Sequence, residues 1–192
     1  MGNSLLSRFA LPGVHSYTCH VSDHQIEALS GDKIEILTWL HPQDGSSVPY
    51  SESSIPLIRA KAKRDETSTV VIIYSHGNAE DVSMTQPWIT YLAEHFGVDV
   101  LAYDYTGYGT NYNAATNESI HHNALSVMRY VTKHLADYKH IFLYGRSIGT
   151  APALYAATHA ETASSVHGVI LQSAFCSIVT TRLPMFMQKY IP

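Results

Sequence analysis

Between Thr69 and Gln172 short β-branched runs alternate with longer amphipathic stretches, and this order constrains the fold more than any other feature. The stretch over 69–74 is β-branched almost throughout, which suits a strand buried on both faces of a parallel sheet. A helix is expected over about 82–96, with Trp88, Tyr91, Leu92 and His95 at helical spacing and Gly97 as its stop. A strand over 98–103 follows, then a helix from about 118 to 135, capped by Asn117 and carrying Leu125, Met128 and Val131 on one face. Strands over 140–144 and 167–172 flank a helix of small residues over 148–159. Such a β-α-β-α-β-α-β order demands right-handed crossovers and a parallel sheet. Upstream, residues 34–40 alternate as a strand. Residues 41–54 are rich in Pro, Gly and Ser and read as a loop, and 54–60 read as a second short strand. The expected class is α/β, a mostly parallel sheet with helices on both faces.

Composition narrows what this scaffold can serve. With 192 residues and 45% hydrophobic content, the chain has mass for one domain with a sizeable core. Twelve Lys plus Arg against sixteen Asp plus Glu give a formal charge of −4, which argues against a nucleic-acid surface. Arg59, Lys61, Lys63 and Arg64 form a small basic run, but Asp65 and Glu66 follow it directly, as in a solvated turn. Two cysteines, Cys19 and Cys176, make no disulfide framework and read as thiols of a cytoplasmic protein. No run approaches the roughly 20 apolar residues of a membrane span. The start Met1-Gly2-Asn3-Ser4 would expose Gly2 for N-acylation, although the expected Ser or Thr at position 6 is replaced by Leu6. The expected organisation is an N-terminal segment over 1–30, facing a membrane if Gly2 is acylated, and a partial α/β domain over 31–192.

The strongest chemical signal is Gly145-Arg146-Ser147-Ile148-Gly149. It follows a strand and opens a helix, the context a nucleophile elbow requires. Gly145 and Gly149 leave room for a tight turn that lifts the Ser147 hydroxyl above the sheet. The helix start supplies unpaired N–H groups, including that of Ile148, where an oxyanion would form. A second signal, Ser75-His76-Gly77-Asn78-Ala79, ends the first buried strand. Its glycine allows close backbone approach, and the Asn78–Ala79 backbone is the expected second oxyanion donor. His76 reads as a hydrogen-bonded loop histidine. A third signal, Asp104-Tyr105-Thr106-Gly107-Tyr108-Gly109, reads as a tight supporting loop with Asp104 in a structural role.

These three motifs, in this order and spacing, resemble the α/β-hydrolase domain family 17, membrane-associated serine hydrolases that include protein depalmitoylases. The similarity spans roughly residues 69–175, with Leu171-Gln172-Ser173-Ala174-Phe175 resembling the segment after the family's sixth strand. The family usually carries Gln before the nucleophile, where this chain has Arg146, and an N-terminal cysteine cluster, where this chain has Cys19 alone. The resemblance implies an α/β-hydrolase fold and hydrolysis of acyl esters or thioesters, with Ser147 as nucleophile in a Ser-Asp-His triad. It implies acylated proteins or lipid-like esters as substrates and peripheral membrane contact. No metal or organic cofactor is required.

The family places its acid and base after the nucleophile. Here that stretch holds one carboxylate, Glu161, and two histidines, His159 and His167. His159 lies twelve residues along the helix from Ser147, about 18 Å away at about 1.5 Å per residue. His167 begins the next strand, at the opposite end of the sheet. None is placed to complete a triad, and the last strand–helix units of the fold are expected to be missing, leaving the final strand as an open apolar edge. Loss of a triad histidine costs on the order of 10⁶ in kcat. A catalytically incompetent binding protein is therefore the alternative to an enzyme, and a serine peptidase on the same scaffold is a third reading. A rewired His76–Ser147 pair is conceivable, since both residues end neighbouring strands. His20 and His24, with Cys19 and Asp23 nearby, have the spacing of metal ligands but no helix signal to align them, so no metal site is expected.

Overall fold

A computed structural model describes residues 34–174 apart from 50, 52, 63–67 and 112. The expectations for Gly2, Cys19, His20, Asp23, His24, Phe175 and Cys176, and for the segment 1–30, lie outside the described residues.

Seven strands form one sheet: β1 (Ile34–Leu40), β2 (Ser47–Val48), β3 (Ile55–Ala60), β4 (Val70–Ser75), β5 (Asp99–Tyr103), β6 (His140–Arg146) and β7 (Val166–Gln172). Their order is β2-β1-β3-β5-β4-β6-β7. β4 runs parallel to both β5 and β6, and β6 parallel to β7. β3 joins this parallel half antiparallel to β5, and β1 pairs antiparallel with β3. β2, a two-residue strand, lies inside the stretch that its Pro, Gly and Ser content marks as loop.

Strand residues alternate between two cores. On one face Val71, Ile73, Leu101, Tyr103, Ile141 and Leu143 pack against helices α2 (Asn117–His134) and α3 (Thr150–Thr158). On the other, Ile72, Tyr74, Val100, Ala102 and Tyr144 meet α1 (Val82–Phe96). Helices thus cover both faces, as the continuous apolar strands require. All five residues of β5 are buried.

The helix caps differ in detail from the sequence expectation. Asp81 caps α1 by accepting from the Met84 N–H, and Gly97 ends the helix at φ 63°. Thr116 rather than Asn117 caps α2, in a reciprocal capping box with Ser119. Asn117 is the first helical residue, because a Thr hydroxyl in extended backbone reaches the N–H three residues on. α1 buries Val82, Thr85, Ile89, Leu92 and Ala93. Trp88 is partly buried against the core beside Tyr144, while Tyr91 and His95 stack outward from it on the exposed side, with successive ring centroids 5.6 and 5.3 Å apart. The small-residue helix begins later than expected, after a 3-10 turn over Ser147–Gly149. Among the described residues β7 pairs only with β6, and Val169, Ile170 and Leu171 are exposed.

A buried polar network holds the end of the sheet away from the strand carboxyl termini. The Tyr138 hydroxyl donates to Asp99 at 2.6 Å and accepts from Arg59, which also pairs with Glu35 at 2.6 Å.

Tyrosines carry much of the core, which sets a test of the fold. Burial, then the nearby Glu80 charge, pushes the Tyr74 phenol from its ordinary 10.0 up to about 12. Burial pushes Tyr103, Tyr105, Tyr108 and Tyr138 up as well. The unfolded chain gives up these protons before the folded one, so stability is intact below pH 10 and falls as pH rises through the shifted range. Urea midpoints should drop steeply above about pH 10, and phenolate absorbance should rise together with unfolding rather than before it. In the same core, Leu101→Ala should cost about 2–5 kcal/mol in urea unfolding.

Candidate active site

The site lies at the carboxyl ends of β4 and β6, where Ser75 pairs with Gly145 in register. β6 leaves the sheet at Arg146 in extended backbone, and the next residue, Ser147, has φ 52°. That left-handed conformation is uncommon for a residue with a Cβ and costs of order 1–3 kcal/mol. The Thr150 hydroxyl donates to the Ser147 carbonyl at 2.6 Å and fastens the turn. Ser173, at the end of β7, is the other non-glycine residue with positive φ among those described. Strain is therefore concentrated at neighbouring strand ends, a distribution found at functional sites.

Two glycines make the turn possible. A Cβ on Gly149 would stand 2.0 Å from the Ser75 carbonyl oxygen and 2.6 Å from that of His76. A Cβ on Gly145 would stand 2.5 Å from the Gly149 oxygen. The start of α3 is thereby pressed onto the end of β4, bringing the Ile148 region beside the loop over 76–80. On the loop side, a Cβ on Gly77 would be only 3.9 Å from the Arg146 carbonyl oxygen.

That loop is pinned from several directions. The Tyr105 hydroxyl donates to the His76 carbonyl at 2.9 Å, and the Tyr108 hydroxyl to Asn78 Oδ1 at 2.6 Å. Gly77 N–H donates to Glu80 Oε2 at 2.8 Å, and Glu80 N–H returns to the Gly77 carbonyl at 3.2 Å. The other Glu80 oxygen holds the Arg146 guanidinium. No described group accepts from the Asn78 or Ala79 N–H, so both remain available at this edge.

His76 and Asp104 lie beneath the loop, 0% and 1% exposed. His76 Nδ1 donates to the Gly77 carbonyl at 2.9 Å, its ring lies 4.2 Å from that of Tyr105, and Nε2 faces Asp104 Oδ1 at 3.4 Å. Both ring nitrogens are thus turned to the loop and the buried carboxylate, and His76 makes no hydrogen bond to Ser147. Asp104 accepts from the Val82 N–H at 2.8 Å, capping α1 beside Asp81. Burial raises its carboxyl above the ordinary value, opposed by the contact with His76. Gly109, at φ 54°, lies over the same carboxylate, where a Cβ would meet Oδ2 at 2.0 Å.

The titratable groups after Ser147 are engaged elsewhere. Glu161 is paired with Arg129 at 2.6 Å, His159 ends α3, and His167 Nδ1 lies 3.3 Å from the Ile141 N–H. Among the described residues no imidazole or carboxylate contacts the Ser147 hydroxyl, and no group of side chains is arranged to hold a metal ion. No helix among them is long and apolar enough to cross a membrane. Glu80 is the residue that sequence reasoning passed over. Its offset of three from Gly77 was the available signal, since that spacing lets a side chain cap a turn.

Residues 66–191 match the family described as serine aminopeptidase, S33, a family of hydrolases. The chain belongs to this α/β-hydrolase family. It is 32% identical over 130 residues to an α/β hydrolase of Acanthamoeba polyphaga mimivirus, covering 66% of this chain and 48% of that one. It is 28% identical over 122 residues to alpha/beta hydrolase domain-containing protein 17B of Xenopus laevis, covering 62% and 40%. The chain therefore spans less than half the length of these relatives. A thermostable carboxyl esterase from Bacillus coagulans superposes with a TM-score of 0.53 at 18% identity, covering 73% of this chain and 44% of that one, and shares its fold.

The turn glycine Gly149 and the loop glycine Gly77 predict unequal costs. Gly149→Ala forces a Cβ into main-chain atoms and should destabilise by about 1–3 kcal/mol or more. Gly77→Ala meets the Glu80 carboxylate at 3.2 Å and a main-chain atom only at the ordinary contact distance of 3.9 Å, and should cost less. Urea unfolding of both variants tests the order; equal costs would contradict the packing described.

Proposed function

We propose that the chain is a serine hydrolase of acyl esters and thioesters, with Ser147 as nucleophile. The observation that carries the reading is the left-handed Ser147 at the β6–α3 junction, packed against a loop with two free N–H groups. Ser147 Oγ would attack the acyl carbonyl while the N–H groups of Ile148 and of Asn78 or Ala79 receive the developing oxyanion. Collapse breaks the C–O or C–S bond, the alcohol or thiol leaves with a proton, and water then releases the acid from the acyl-enzyme. His76, Gly77, Asp104, Gly145 and Gly149 shape this site without touching the reacting atoms. The substrate proposed is an acyl group carried on a protein or lipid, met at a membrane surface to which acylated Gly2 would hold the chain.

The step needs an acceptor for the Ser147 proton, and the described residues offer none. That observation favours a second reading, a module that binds an acyl ester without turning it over. The peptidase reading draws on the name of the matching family and calls for the same nucleophile.

A fluorophosphonate probe separates enzyme from binding module. Purified protein should be phosphonylated, with the P–F bond broken and the new P–O bond at Ser147, while Ser147→Ala stays unlabelled. Silence of the wild type alongside intact folding would leave only the binding reading.

A further inference from the structure

We infer that Glu80 and Arg146 form a positioning pair that sets the geometry and the local charge of the oxyanion site, an inference that rests on Ser147 being the nucleophile. One carboxylate serves both sides of the site. Its Oε2 accepts from the Gly77 N–H at 2.8 Å, and its Oε1 holds the guanidinium of the residue immediately before Ser147. The loop that offers Asn78 and Ala79 and the turn that offers Ile148 are thus joined by one side-chain bridge as well as by packing.

Stability alone gives this pair little reason to exist. Arg146 is 45% exposed and Glu80 21%, and ion pairs so placed contribute little to folding. Position is another matter, because a displacement of about 1 Å in a site costs on the order of 10²-fold in rate. By capping the Gly77 N–H, Glu80 also leaves that donor satisfied and the next two N–H groups free.

The pair has an electrostatic role too. A carboxylate this close to the loop would oppose a developing oxyanion, and Arg146 cancels it. Removing the guanidinium alone leaves an uncompensated negative charge beside the site. Neutralising Glu80 to the isosteric amide removes that charge and keeps a carbonyl oxygen to accept from Gly77.

These two roles predict an asymmetric and partly reversible pattern. The readout is the second-order rate of fluorophosphonate labelling of the purified chain, with urea midpoints measured in parallel. Arg146→Gln should slow labelling roughly tenfold, as expected for a partial displacement with added repulsion. Glu80→Gln should slow it less, and the double variant should label faster than Arg146→Gln alone, with midpoints near wild type throughout. Glu80→Ala, which also loses the Gly77 contact, should be slower than Glu80→Gln. If wild type labels but Arg146→Gln matches it, or the double variant is slower than both singles, the pairing role is overturned while the nucleophile reading stands. A wild type that does not label overturns the nucleophile reading, and this inference with it.

Discussion

The contact on which the site depends is the approach of Gly149 to the carbonyl oxygens that end β4. Nothing larger than a hydrogen fits there, so α3 starts directly over the strand rather than beside it. With this approach go the left-handed Ser147, the requirement for Gly145 on the inner side of the bend, and the placement of the Ser147–Gly149 turn beside the end of β4. The strain at Ser147 is small against the apolar burial on both sides of the sheet, where Val71, Ile73, Leu101 and Leu143 on one face and Ile58, Val100 and Ala102 on the other are nearly or fully excluded from water. At about 25 cal/mol per Å² of apolar surface, a few such side chains offset a residue in a sparsely populated conformation.

Below the loop, polar groups rather than hydrocarbons fill the space, and they fix it more sharply. Tyr105, Tyr108, His76 and Asp104 each bond to a particular atom of the loop or of α1. Nδ1 donates to the Gly77 carbonyl, which leaves His76 Nε2 facing Asp104 Oδ1 at 3.4 Å. The rings of Tyr105 and Tyr108 lie 4.2 and 5.5 Å from the imidazole. This layer converts the end of β4 from a flexible strand terminus into a platform with one conformation.

Much of this was legible in the chain. Thr69 to Tyr74 reads as a doubly buried strand because only such a strand tolerates consecutive β-branched residues, and the elbow is legible because glycines flank Ser147 at a strand–helix junction. The legible part is local. What escaped depends on neighbours: the aromatic ladder Trp88, Tyr91, His95 has helical spacing, yet which stripe of α1 turns inward is decided by the sheet beneath it. The cap at Thr116 rather than Asn117 turned on a one-residue choice between two competent side chains. Glu80 and Arg146 are 66 residues apart, and no periodicity links them.

On the proposed function, the arrangement separates the two halves of acyl-transfer chemistry. Oxyanion stabilisation requires only oriented dipoles, and these arise where β4, β6 and α3 meet. Proton transfer requires a titratable group within hydrogen-bond reach of Ser147. His76 and Asp104 are sealed under the loop, Glu80 and Arg146 satisfy one another, and Glu161 is paired with Arg129 on a different part of the surface. Among the described residues Gln172, Ser173 and Ala174, at the end of β7, are exposed. There strand register places Gln172 beside Arg146. On the proposed function the described residues supply oriented N–H groups but no proton acceptor, which is why labelling of Ser147 decides between an enzyme and a binding module.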